Sequence, residues 1–486
     1  MNRPTNIKTE LVRSSIRNHL LLIVIFLVGL ALRIYDLGSE SIWYDEAISI
    51  AVAKLGLIDQ ISWSYLQNDN NPLLYYELLH FWVWIFGDSE LVVRVPSALF
   101  GSFSILAIYM VGRLTFNKKV GLIAALILAT SVFHIKYSQE ARAYSLLAFL
   151  TLLSFYYYLK IISSDRRLYV FGYLLSSVLM LYTHYYGFLI LAVQNIFFFG
   201  NYLKTRDLGA LSLRKWLTYQ IILGVLYLPG FVLFAKHAVA IQGGFWLPEP
   251  TLSSITRIFV VYSGSLLLCL VLVIFSLLSF LSFRRLKNSS DADNLILSKS
   301  NRFYLVLLWL FVPILLPFLL SLFSTPILLY RYLIAASLAF YLLAAIGMVL
   351  NGKRTLIFIS VFLIIVLSSL NLEKYYGSVD KYQWRETISF VEDNASSGDY
   401  IAVFPRFEIE SANYYKKRDD VHYLAMSDEL IIVSDIGNKN LWFILADHAF
   451  TRRKAFEKVM NERYKLVDQK KYKSLNLYKY RKNNSK

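Results

Sequence analysis

The sequence predicts an α-helical polytopic membrane protein of the order of eleven spans, with interfacial helices in its first outer loop and a small C-terminal α/β domain. Three observations carry this. Hydrophobic residues make up 57% of the 486 residues and charged residues only 17%, against about 45–50% and about 25% in soluble domains. Apolar stretches recur through residues 1–371 at about the 20-residue length that a bilayer core of about 30 Å needs. From Leu372 the pattern changes to short alternating helix and strand signals.

The apolar stretches start near residues 18, 93, 120, 143, 168, 187, 216, 258, 303, 331 and 355. The first, His19 to Tyr35, follows Arg3, Lys8, Arg13 and Arg17 and resembles a secretory signal. The poor small-x-small site and the many later spans favour an uncleaved first helix. With a cytoplasmic N-terminus, segments 1–18, 113–119, 160–167, 204–215, 284–302 and 351–354 are inside and hold 21 Lys and Arg. Loops 36–92, 134–142, 183–186, 236–257 and 324–331 are outside and hold 6. Cytoplasmic loops carry the cationic excess, so the expectation is a plasma- or inner-membrane protein with its C-terminus outside. The net charge of +17 then divides between topogenic loops and a basic outer tail facing anionic lipid or glycan. Nucleic acid is not an expected partner. The single cysteine, Cys269, excludes a disulfide framework and a cysteine-type zinc or iron–sulfur centre.

Two domains follow: a transmembrane part, 1–371, and an extracytoplasmic α/β domain, 372–486. In the latter, Gln383–Asn394 reads as a helix and Tyr400–Phe404 as a strand introduced by Gly398-Asp399. Glu408–Lys417 reads as a helix, Val421–Leu424 as extended, Leu441–Leu445 as a strand, Thr451–Tyr464 as a helix and Tyr472–Tyr480 as strand-like. Lys287–Ser300 reads as a polar linker. No catalytic signature stands in the tail.

The first outer loop, 36–92, holds nine acids against one lysine, together with Trp43, Trp63, Tyr65, Tyr75, Tyr76, Trp82 and Trp84. So long a loop in a compact protein is functional or disordered, and this aromatic content argues against disorder. One amphipathic helix opens at Ile42-Trp43-Tyr44-Asp45-Glu46, with Ile48, Val52 and Leu55 on one face. Carboxylates in a first turn are stabilised in their charged form. A second runs Pro72–Phe86, with Asn71 placed to cap it, Pro72 at its first position and Gly87 to end it. At about 1.5 Å per residue it is too short to span and suits the interface. An acidic pair held there can take a proton from an acceptor hydroxyl while a lipid-linked donor rises from the bilayer. The plainer reading, solvated helix-start residues, stands beside it.

Glu140, Arg142 and Tyr144 lie where a helix re-enters the membrane, as a functional site or as an internal pair pinning two spans. His184 sits in a polar aromatic turn, Tyr182–Gly187, where interfacial filler is the ordinary role. Arg331-Tyr332 opens the tenth span, as an interface anchor or a phosphate clamp. Gly347–Arg354 nearly matches a phosphate-binding loop, but it lacks the final Ser or Thr and lies in a span. The seven scattered histidines suggest no zinc site.

These residues resemble the acidic-motif pattern of the C-type (GT-C) membrane glycosyltransferases, in the protein O-mannosyltransferase and lipid A aminoarabinose transferase superfamily. Trp43-Tyr-Asp-Glu-Ala47 is similar to the acidic motif. Asn71-Pro-Leu-Leu-Tyr-Tyr76, Gly87-Asp-Ser-Glu90, Arg94-Val-Pro-Ser-Ala98, Tyr137-Ser-Gln-Glu-Ala-Arg142, Tyr182–Gly187 and Arg331-Tyr332 follow in order. Asp380–Arg385 and Gly398-Asp399 resemble the start of the outer domain of bacterial members. The resemblance implies a polyprenyl-phosphate sugar donor, membrane lipids around it, and an extracytoplasmic lipid, glycan or protein acceptor. It implies Asp45 as the leading catalytic acid, with Glu46 beside it and Asp69 as a second loop acid. Asn71, Tyr75, Glu140, Arg142, Tyr144, His184, Arg331 and Tyr332 are the substrate-binding candidates. Many relatives have His-Pro-Pro where this chain has Asn71-Pro72-Leu73, a change that bears on donor or acceptor choice. No cofactor is implied with certainty. A divalent metal at the acidic pair and Asp69 is left open. A transporter of lipid-linked sugars is a rival that predicts internal repeats, and none is visible. A non-catalytic membrane scaffold is another.

Overall fold

The computed structural model describes residues 4–67, 69, 71–206, 208–286, 297–351, 353–427, 439–447, 460 and 464–482. In chain order the helices of the apolar part are α1 (Pro4–Ile34), α2 (Tyr44–Ala53), α3 (Leu57–Gln67), α4 (Leu74–Phe86), α5 (Glu90–Thr115), α6 (Lys118–Thr130), α7 (Val132–Ser138) and α8 (Tyr144–Ser163). Then follow α9 (Arg167–Thr183), α10 (Gly187–Thr205), α11 (Leu213–Ala240), α12 (Leu252–Ser263), α13 (Leu266–Leu286), α14 (Lys299–Phe323), α15 (Ile334–Asn351) and α16 (Arg354–Tyr376). The tail adds α17 (Trp384–Asn394), β1 (Tyr400–Phe404), α18 (Ile409–Tyr415), β2 (His422–Ala425), β3 (Asn440–Ala446), β4 (Tyr464–Tyr472) and β5 (Leu475–Lys482).

Each of the apolar stretches read from the sequence is helical, but the count of eleven spans is not reached by length and hydropathy. Among the described residues six helices, α1, α5, α8, α11, α14 and α16, are long and apolar enough to cross a bilayer. The number is eight if the bent pairs α6–α7 and α12–α13 each cross once. α9 and α15 are apolar but shorter. The stretch read as one span from near residue 258 is broken by a 100° bend. Gly264 explains it: its φ of +79° places it in the left-handed region, where its N–H caps Val260 and Val261 and ends α12. Large apolar side chains on α11, α14 and α16, among them Leu228, Phe323, Phe358 and Phe362, are exposed. Such surfaces belong in lipid, and the chain is an integral membrane protein.

Two compact units are formed. The first comprises Met1–Tyr35, Gly56–Leu78 and Arg94–Tyr375. Its core is α15, whose residues Leu338, Ala339, Phe340, Tyr341 and Leu342 are fully enclosed. Gly347, part of the rejected phosphate-loop look-alike, serves packing: a Cβ there would lie 1.8 Å from the Phe275 carbonyl oxygen of α13.

The second unit comprises Asp36–Leu55, Leu79–Val93 and Tyr376–Lys486. The 36–92 loop is therefore shared between the units. The tail carries a five-stranded sheet in the order β2-β1-β3-β5-β4. β1 pairs parallel with β2 and β3, and β5 pairs antiparallel with β3 and β4. Trp384, Ile388 and Val391 of α17 pack on Ile401, Val403, Trp442 and Ile444 of one sheet face. Asp399 accepts hydrogen bonds from Ser396, from the backbone and side chain of Asn440, and from Trp442. Burial pushes its carboxyl up, but these bonds outweigh that and hold it below the usual range.

Three local expectations are corrected. The loop contains a third helix, α3, which a pattern of Ile58, Ile61, Tyr65 and Leu66 announces. α4 begins at Leu74, and Asn71 is not its cap, because its side chain is bonded to Asp69 and Arg142 instead. The tail ends in a hairpin whose first strand, β4, the sequence reading missed, since its residues are nearly all exposed and polar. The helix expected over Thr451–Tyr464 lies outside the described residues apart from helical Met460 and Tyr464, which opens β4; most of the Lys287–Ser300 linker lies outside them too.

Candidate functional site

In the first unit the residues singled out from the sequence converge. Asp69 accepts from Asn71 Nδ2 at 2.8 Å and from the Tyr76 hydroxyl at 2.9 Å. Asn71 Oδ1 in turn accepts from Arg142 Nη2 at 3.1 Å. A carboxylate, an amide and a guanidinium thus form a relay that aims Arg142. Burial raises the Asp69 carboxyl above the usual range, against the lowering pull of Arg142, Asn71, Tyr76 and His237. The Arg142 backbone is fixed as well: Ser97 donates to its carbonyl at 3.1 Å, and the Tyr75 hydroxyl lies 2.8 Å from Ser97 Oγ.

Tyr144 opens α8 and is buried. The guanidinium carbons of Arg142 and of Arg331 each lie 5.9 Å from its ring centroid. Arg331 is also 5.8 Å from the rings of Trp246 and Tyr332. Cations over ring faces are attracted by the ring quadrupole, so the Tyr144 ring holds the two arginines near each other. Tyr332 stacks on Tyr144 at 6.4 Å. His184 lies 5.1 Å from Tyr332 and 6.1 Å from Tyr144, ring to ring. It is enclosed, and burial together with Arg142 and Arg331 pushes its imidazole down to about 3. A neutral His184 accepts the Tyr186 N–H at Nδ1 and carries its proton on Nε2. Glu140 is buried in the turn that leads into Arg142, whose N–H donates to its carbonyl at 2.8 Å.

Beside this cluster is a largely apolar cavity of about 700 Å³, with Leu66, Leu73, Tyr182, Tyr185, Tyr227 and Leu233 in its wall. Tyr185 joins cavity to cluster, its hydroxyl 2.8 Å from His237 Nδ1, and His237 Nε2 lies 3.2 Å from the Ser64 carbonyl. His237 and Trp246 are not site candidates in the sequence, and Tyr76 stands there only among the loop's aromatics. His237 gains its place where α11 meets Ser64 of α3, Trp246 by facing Arg331, and Tyr76 by bonding Asp69.

The acidic motif is built in the second unit. Asp45 and Glu46 occupy the first turn of α2. Glu46 is fully enclosed and meets Lys381 Nζ at 3.0 Å. The preceding residues are held by the tail. Glu40 accepts from the Lys381 N–H at 3.2 Å, Ser41 donates to Glu386 at 3.1 Å, and Ile42 N–H donates to the Tyr415 hydroxyl at 2.6 Å. The Tyr44 ring packs edge-on to Phe407 at 5.0 Å. Glu408 next to it is buried, and burial, with the negative charge of Asp45, pushes its carboxyl up to about 7 despite a bond from Ser411. Among the described residues no three His, Cys, Asp or Glu side chains are grouped to hold a metal ion.

Residues 70–235 match the sequence family described as dolichyl-phosphate-mannose-protein mannosyltransferase. No curated protein matches the chain. Among solved structures, ArnT from Cupriavidus metallidurans in the apo state is similar at a TM-score of 0.60 and 10% identity, over 94% of this chain and 97% of that one. The same protein bound to undecaprenyl phosphate gives 0.59 at 10% identity, over the same shares. The apo oligosaccharyltransferase of Archaeoglobus fulgidus gives 0.56 at 12% identity, over 96% of this chain and 74% of that one. Residues 70–235 thus match that family's sequence pattern, and over nearly its whole length the chain has the fold of ArnT.

Proposed function

We propose that this chain transfers a sugar from a polyprenyl-phosphate carrier to a hydroxyl or amine on an acceptor outside the cytoplasm. The observation that carries the reading is the pair Arg142 and Arg331, each held 5.9 Å from the ring of Tyr144, next to an apolar cavity. Two guanidiniums suit a phosphate monoester, and an apolar cavity suits a prenyl chain. Undecaprenyl phosphate is the ligand of the similar ArnT structure. A lipid phosphate is already a good leaving group, so it needs cationic stabilisation more than protonation.

The mechanism is direct displacement with inversion. Asp45 takes the proton of the acceptor as general base. Asp69 acts one step back, holding Arg142 through Asn71. Neutral His184 and Tyr332 shape the phosphate pocket. A lipid, a glycan and a protein are all acceptor classes of this scheme. The enzyme sits in the plasma or inner membrane, with the first loop and the tail outside.

The test is release of free polyprenyl phosphate from a panel of polyprenyl-phosphate sugars by purified protein in nanodiscs. Transport leaves the donor intact, so an unconsumed panel would support the transporter reading. Mass spectrometry of envelope glycans from a deletion strain identifies the sugar and acceptor together.

A further inference from the structure

The C-terminal unit does more than present a surface. From the way it grips the acidic motif we infer that Lys381 is a positioning residue: its buried ion pair with Glu46 fixes the first turn of α2 and thereby aims Asp45. This rests on the reading of Asp45 as the base. Both side chains of the pair are nearly excluded from water, at 10% and 0% exposure for Lys381 and Glu46. Surface ion pairs contribute little. A buried one is costly to break, because the remaining charge is left uncompensated. Glu46 and Asp45 are neighbours at the start of one helix, so fixing one side chain fixes the backbone that carries the other.

The surroundings support an anchor. The Lys381 backbone N–H donates to Glu40, which precedes the motif. Arg385 N–H donates to Ser41 at 3.2 Å, and Arg385 Nε lies 3.3 Å from Glu90. The Tyr414 hydroxyl donates to the Asp88 carbonyl at 2.7 Å. The segments before α2 and after α4 are thus tied to residues 381–415. Within this arrangement Glu46 holds position and does not exchange protons with substrate. Its ion pair would have to be broken before it could act as a base.

The experiment compares wild type, Lys381→Met, Glu46→Gln and the double variant, full-length in nanodiscs, by amide hydrogen exchange and by turnover of a polyprenyl-phosphate sugar. In Lys381→Met, exchange over residues 44–53 should rise at least about tenfold with β1 and β3 unchanged. Misplacement of a catalytic group by about 1 Å costs about 100-fold, so kcat should fall by about 10- to 100-fold, with KM for the donor within about twofold. Glu46→Gln should cost about as much, and the double variant no more than either, since both changes remove one interaction. Lys381→Arg keeps the cation and should keep protection. It serves as the comparison if Lys381→Met does not fold. Unchanged exchange in Lys381→Met would overturn the anchor. So would a Glu46→Gln loss as deep as that of Asp45→Asn with Lys381→Met near wild type, because Glu46 would then take part in the chemistry. A wild type that consumes no donor defeats the functional reading alone, and the exchange comparison still decides the anchor.

Discussion

Individual side chains carry the sharpest expectations. Asp45→Asn keeps size, shape and a hydrogen-bonding oxygen at the helix start, so the fold should be retained. It removes the proposed base, and positioned bases contribute about 10²- to 10⁴-fold. Turnover should fall at least about a hundredfold while donor binding persists; near-normal transfer would send the search for the base elsewhere. Asp69→Asn should cost less, since Asp69 acts on Arg142 indirectly, through Asn71 and Tyr76. Arg331→Ala should mainly weaken donor binding, and in a salt-dependent way. Glu408 gives a pH test. Its folded carboxyl stands at about 7 against 4.5 as its ordinary value, so the folded state holds the extra proton between those values. Stability therefore falls as pH rises from about 4.5 to about 7 and stays low above it. Glu408→Gln should raise the thermal midpoint at pH 8 and leave it near wild type at pH 4.5. A midpoint unchanged at pH 8 would refute the buried-carboxyl assignment.

At the level of elements, the tail sheet has its own core. Trp384, Ile388, Val391, Ile401, Val403, Trp442 and Ile444 on one face all belong to the tail, and so do Leu441, Phe443, Tyr464, Tyr478 and Tyr480 on the other. A fragment from Lys381 should be soluble and show mixed helix and strand by circular dichroism. It should not transfer sugar, since every proposed catalytic group lies upstream. It also lacks Glu40, Ser41, Ile42, Glu46 and Glu90, which the tail binds in the full chain. It should therefore be less stable than the same sheet within the whole protein, and a peptide of residues 36–55 added in trans should raise its melting temperature.

For the whole molecule, the distribution of Lys and Arg across loops sets the expected orientation. A reporter fused after Lys486 should be active only outside the cytoplasm, and one fused near Asn288 only inside. Agreement between the two would mean that the number of crossings between them is even. Between the two points lie α14, the shorter α15 and α16, so opposite sides mean that α15 crosses as well.

The sequence by itself determined the class, the order of the helices and most of the tail, because hydrophobic length, period and turn residues are local properties. Strand β1 and helix α17 fall almost where Tyr400–Phe404 and Gln383–Asn394 were read. It failed where burial is partial: β4 is polar and exposed and so has no alternating pattern, and Gly264 breaks an apolar run that hydropathy averages over. Asp45, Arg142 and Arg331 could be named from their chemistry and order. That Asn71 would bridge Asp69 to Arg142 instead of capping a helix, that two arginines would share Tyr144, and that Lys381 would reach back 335 residues to Glu46 were decided only by tertiary structure. Contacts between residues so distant in the chain depend on how helices pack and where polar groups find partners once water is removed, and no local pattern records that.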